Sequence, residues 1–173
     1  MGFQMIVSIV SVLVAAILVV VDQLIKHWAT VVLQPLGAIT VLPGILELRY
    51  YLNDGMAFSM LAGKQMLLIG VTSVMLICVL LLLLLRKMGM WERISWTLIL
   101  GGGIGNLIDR FLNGVVVDYI NVLFVNFAVF NFADICITTG VILLMLWIFY
   151  DSLQKDKAEK AAKQQKEASD GTT

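Results

Sequence analysis

The chain has 173 residues, of which 60% are hydrophobic and 14% charged, with a mean hydropathy of +0.95. Twelve Lys and Arg balance twelve Asp and Glu. This excludes an ordinary soluble domain and offers no basic excess for nucleic acid, so the chain reads as a membrane protein whose partners lie in the lipid phase.

Residues Gly2 to Val21 carry no charge. At about 1.5 Å per residue they cross a hydrocarbon core of about 30 Å. No basic stretch precedes them and no small-x-small site follows, so a cleaved signal peptide is disfavoured. Asp22 and Lys26 come next, four apart on one helix face, where the span is expected to leave the membrane. From His27 to Lys64, Pro35, Gly37, Pro43 and Gly44 punctuate the pattern, and ILELRYYLN alternates like short strands. The segment 27–65 therefore reads as a small extramembrane platform, too small for a core of its own. It closes on the turn NDGMAFS, Asn53 to Ser59, with Gly55 and Phe58 as its supports.

A second uncharged span covers Met66 to Leu85, followed by a short loop bearing Arg86, Lys87 and Arg93. The third, Ile94 to about Leu112, is interrupted by Gly101, Gly102, Gly103 and Gly105. Small residues at this spacing bring helix backbones together or leave room for a substrate chain. Asn106, Asp109 and Arg110 lie at i, i+3 and i+4 and so share one side, with Asp109 expected to pair with Arg110. A fourth span runs from about Asn131 to Tyr150 with Asp134 in its first turn, and residues 151–173 form a polar tail. There is no internal repeat. Cys78 and Cys136 lack CxxC spacing, His27 is the single histidine, and HExxH and GxSxG are absent, so no metal, cofactor, disulfide or serine-hydrolase site is expected.

Arg86, Lys87, Arg93 and five tail lysines face Lys26, Arg49, Lys64 and Arg110 across the membrane, which puts both termini in the cytoplasm. Five stretches then deliver Asp22, Lys26, Asn53, Asn106, Asp109, Arg110, Asp118, Asn131 and Asp134 to the outer boundary. A charge at a bilayer centre costs roughly 2.5 to 3.5 kcal/mol on insertion scales, so such residues usually serve a purpose. Asp118 and Asp134 form the natural pair. Two carboxylates in a partly dehydrated pocket share one proton, so one can act as base and the other as acid in peptide hydrolysis. The rival chemistry is a proton-coupled transporter, which would place acids near the midplane and on both halves of a repeat.

The blocks DQLIK (Asp22 to Lys26), NDGMAFS, GGGIGNLIDR (Gly101 to Arg110), VVDYI (Val116 to Ile120) and FNFAD (Phe130 to Asp134) resemble, in order, those of the lipoprotein signal peptidases, also called signal peptidase II. The resemblance spans about residues 5 to 150. It implies four transmembrane helices with a small extracytoplasmic sheet platform, a peptidase domain 1–150, and a place in the bacterial inner membrane with the active site near its outer face. It implies an intramembrane aspartyl endopeptidase, monomeric and free of cofactors, that removes signal peptides from diacylglyceryl-modified prolipoproteins before the lipidated cysteine. Asp118 and Asp134 match the catalytic pair. Asn53, Asn106, Arg110 and Asn131 match substrate-binding positions, as do Asp22, Lys26, Gly102 and Gly105, with Asp109, Gly55 and Phe58 as support. Ile25, Met56 and Gly103 depart from the common pattern without touching the pair.

Overall fold

The computed structural model describes residues 2–55 and 64–170. Phe58 lies outside the described residues. The described elements are α1 (Gly2–Trp28), a π-helical turn (Ala29–Leu33), α2 (Gln34–Leu36), β1 (Ala38–Leu42), β2 (Leu46–Asn53), α3 (Gln65–Leu85), α4 (Met90–Asn113), β3 (Val116–Val122) and α5 (Phe132–Asp170).

Among the described residues, three stretches are long and apolar enough to cross a membrane: Gln4–Leu36, Gln65–Leu85 and Phe132–Lys160. Their outward faces expose large side chains such as Leu13, Ile17, Met66, Val74, Met145 and Phe149. Apolar surface of this extent belongs against lipid. The fourth long helix, α4, differs because it sits among the others, packing against α1, α3 and α5. Shielded by its neighbours, it carries Glu92, Arg93, Asn106 and Asp109 in buried positions. Helix packing without a hydrophobic drive between helices favours small residues, and its glycines meet each neighbour in turn. A Cβ on Gly101 would press on Leu18 of α1, one on Gly103 would stand 2.5 Å from Leu76 of α3, and one on Gly102 would collide with the Ala133 carbonyl of α5.

Several boundaries depart from the sequence pattern. The first helix does not end near Asp22 but runs through the π-helical turn to Leu36, so Asp22 and Lys26 lie within it and are buried. Asp22 is paired with Lys26 within the helix and Lys26 in turn with Asp109 of α4, which removes the need for a helix exit. Arg93 likewise belongs to α4 rather than to the preceding loop. It is buried, with Nη1 donating to the Leu83 carbonyl at the end of α3. The polar tail continues α5 as helix to Asp170.

The sheet is antiparallel with order β1-β2-β3. Its outer two strands do not come from one segment. Residues 27–36 of the expected platform are helical, and the third strand is supplied by residues 116–122, outside the expected platform 27–65. Alternation divides the side chains of β3. Val117 and Tyr119 pack with Ala29 and Leu33 of the π-helical turn, while Val116 and Asp118 face a cavity on the other side.

Candidate active site

Asp118 arrives on a strand and Asp134 on a helix. The strand is aimed by what precedes it. Gly114, at φ +73°, ends α4 with its N–H donating to the Arg110 carbonyl. A left-handed residue in that place favours glycine. The carboxylate of Asp109 then accepts the Val117 N–H at 3.1 Å, tying the new strand back to the helix one residue before Asp118. On the far side, Ile120 and Phe130 exchange backbone hydrogen bonds of 2.8 and 3.0 Å. This clamp sets Asn131 and the start of α5 beside the strand.

Asn131 caps α5 reciprocally with Asp134. Its Oδ1 accepts the Asp134 N–H at 2.9 Å, and its own N–H donates to Asp134 Oδ2 at 3.1 Å. This is a capping box with Asn at N-cap and Asp at N3. The other first-turn amides are taken as well: Phe132 N–H by the Tyr119 hydroxyl and Ala133 N–H by Asp22 Oδ1, both at 3.1 Å. The helix N-terminus, a positive end, thus points at a cluster of acids.

The same Asn131 donates through Nδ2 to Asp118 Oδ1 at 2.6 Å, so a wholly buried asparagine touches both carboxylates. Asn53 Nδ2 donates to Asp118 Oδ2 at 2.9 Å, and Asn106 Nδ2 to Asp134 Oδ1 at 2.7 Å. Both aspartates line one cavity of about 590 Å³ together with Asn53, Asn106, Arg110 and a wall of apolar residues that includes Leu68, Val116, Phe130 and Ile135. Burial, and then the negative charge of Asp134, push the Asp118 carboxyl up to about 7, against the smaller opposing effect of its hydrogen bonds to Asn53 and Asn131.

Beneath this layer lies a second. Lys26 Nζ stands 2.9 Å from Asp22 Oδ2 and 3.0 Å from Asp109 Oδ2, with all three residues buried. The pairing expected between Asp109 and Arg110 does not form. Consecutive helical residues diverge by about 100°, so Asp109 turns inward to Lys26 while Arg110 turns to the cavity and donates to the Gly55 carbonyl at 2.7 Å. That bond gives Gly55 its place: the Asn53–Gly55 turn, closed by Gly55 N–H on Asn53 Oδ1 at 2.9 Å, is held against the cavity rim.

Among the residues expected to contact substrate, Asn53, Asn106 and Arg110 line the cavity, whereas Asn131 lies directly behind it. Asp22, Lys26, Gly102 and Gly105 stand behind its walls. The glycines serve packing: a Cβ on Gly105 would lie 2.5 Å from Asp22 Oδ2. Two contributors went unread in the sequence. Gln23 donates to Asp109 Oδ1 at 2.9 Å, and Tyr119 receives the first amide of α5. The N-x-x-D spacing of the capping box was a usable signal, while nothing local to Gln23 or Tyr119 marks either. Among the described residues no group of three His, Cys, Asp or Glu is placed to hold a metal ion.

The family model of signal peptidase (SPase) II matches residues 14–150. A lipoprotein signal peptidase of Lactococcus lactis is 35% identical over 148 residues, covering 86% of this chain and 99% of that protein. One from a Nostoc species is 41% identical over 139 residues, covering 78% and 84%. A solved bacterial membrane enzyme superposes with a TM-score of 0.79 at 30% identity, over 84% of this chain and 91% of that one.

Proposed function

Because this chain belongs to the signal peptidase II family, we propose that it is an intramembrane aspartyl endopeptidase that cleaves signal peptides from lipid-modified prolipoproteins, with Asp118 and Asp134 as its catalytic pair. The observation that carries the reading is Asn131 bonded to both carboxylates at the wall of a single cavity. In this mechanism Asp134 takes a proton from a water molecule as its oxygen forms a bond to the scissile carbonyl carbon. Asp118 gives its own proton to the carbonyl oxygen. Collapse of the tetrahedral species breaks the C–N bond, the departing amine takes up a proton, and the pair again holds one. Burial holds Asp118 protonated to about neutrality, which suits it to the acid's role.

Substrate is held by what remains at the cavity. Arg110 and Asn53 offer donors to peptide carbonyls, and the apolar wall of Leu68, Ile135 and Phe130 suits a signal peptide or acyl chain. Four spans, α1, α3, α4 and α5, would traverse the bacterial inner membrane as a monomer, with the sheet and the site on the outer face and both termini inside. A transporter is not favoured, since the acids gather at one end of the helices rather than in two repeated halves.

The test is purified protein given a synthetic lipidated precursor and an unlipidated control, with products identified by mass. Cleavage before the modified cysteine in the first alone is expected. Asp118→Asn and Asp134→Asn should each leave a folded protein without that activity, and turnover near the wild-type rate in either would overturn the assignment.

A further inference from the structure

Lys26 lines no wall of the cavity, and the chemistry above makes no use of it. Yet its ammonium, on a residue 3% exposed, has three acceptors for three protons: Asp22 Oδ2 at 2.9 Å, Asp109 Oδ2 at 3.0 Å and Asn106 Oδ1 at 2.9 Å. No donor is left over. The two carboxylates are themselves anchored, Asp22 by the Ala133 amide and Asp109 by the Val117 amide and Gln23. The ammonium is therefore fixed before it meets the amide.

That third bond decides which way round Asn106 lies. Its Oδ1 faces two donors, Lys26 Nζ and Asn131 Nδ2 at 3.1 Å, so its Nδ2 must point to Asp134 Oδ1. A half-turn of the amide would set N–H against an ammonium and oxygen against a carboxylate. We infer that Lys26 is a positioning residue for cleavage: acting through Asn106, it fixes the hydrogen bond that holds Asp134 in place for activating water. The inference rests on the aspartyl peptidase reading.

A lysine that only neutralised Asp22 and Asp109 would govern how much protein folds, not how the folded protein turns over. A positioning lysine governs both kcat and its pH dependence. The charged groups around the pair are Lys26 and Asp22 on α1, Asp109 and Arg110 on α4, and the two catalytic acids on β3 and α5. Of these, Lys26 favours the ionised form of Asp118. Its loss should let Asp118 keep its proton to higher pH.

Lys26→Met alone would strand two buried carboxylates and threaten folding. The double variant K26M/D22N keeps the net charge of the Lys26, Asp22 and Asp109 cluster and is compared with D22N. A second pair, K26M/D109N against D109N, neutralises the other acid. Thermal unfolding in detergent selects the folded variants, and kcat, KM and pH profile are then measured on the lipidated precursor. The expected result is an unchanged KM, a kcat lower on the order of 10- to 100-fold, as for lost support of a reacting group, and an alkaline limb moved upward. A folded double variant with the kcat and pH profile of its single-variant reference overturns the inference while the wild type still cleaves. A wild type that leaves the precursor intact overturns the peptidase reading as well.

Discussion

Asp118 and Asp134 face one cavity but are constrained differently. Asp134 is fixed by its own helix cap, and Asp118 by a strand whose neighbours on both sides are tied to α4 and α5. Burial holds the Asp118 carboxyl near 7, so the folded protein binds a proton there that the unfolded chain has released. Stability from this group is full at acid pH, is lost as pH rises from the ordinary carboxylate range through about 7, and is flat above. Thermal unfolding in detergent across that range should show this slope in the wild type and a shallower one in Asp118→Asn. Activity should fall as pH rises through about 7, because the doubly ionised pair lacks its acid. A rate still rising well above neutrality would contradict Asp118 as the proton donor.

At the scale of elements, the start of α5 combines capping with the site. Replacing Asn131 by Ala removes the cap and the bridge to Asp118 together. The cap alone is worth about 1 kcal/mol, so calorimetry should register a loss of at least that size. Turnover should drop much further than such a loss explains. Gly102 tests a different feature, the closeness of α4 to α5. An alanine there meets the Ala133 backbone, which cannot swing aside as a side chain could. Overpacking of this sort costs about 1 to 3 kcal/mol, and the shift it forces on the first turn of α5 should reduce kcat through Asp134. Gly114→Ala, by contrast, would strain only the left-handed cap of α4, at roughly 1 to 2 kcal/mol, measurable as a lower midpoint of thermal unfolding.

Across the whole molecule, buried polar side chains are gathered on α1 and α4 while large apolar ones face outward. This inversion lets α4 carry charges that a helix bathed in lipid would not tolerate. In the proposed four-span topology both ends of the chain lie on the side opposite the sheet. Reporter fusions at residue 44 and after residue 173 should therefore report opposite sides of the membrane. The same side for both would require an even number of crossings between them and would overturn the proposed four-span topology.

The sequence alone determined the membrane solvent and the approximate placement of the long helices, and it singled out two acids as candidates, because hydrocarbon imposes length and apolarity on what crosses it and makes every exception conspicuous. It also made Asn53, Asn106 and Arg110 conspicuous. What only the tertiary structure decided was partnership. Asp109 pairs with Lys26 rather than with adjacent Arg110, the first helix runs on past two buried charges, and VVDYINV follows α4 to complete a sheet begun at Ala38. The reason is that a charge or an unpaired strand edge can be satisfied by any complementary group within a few ångströms. Local spacing fixes which groups are available, and only the packing of distant segments fixes which of them meet.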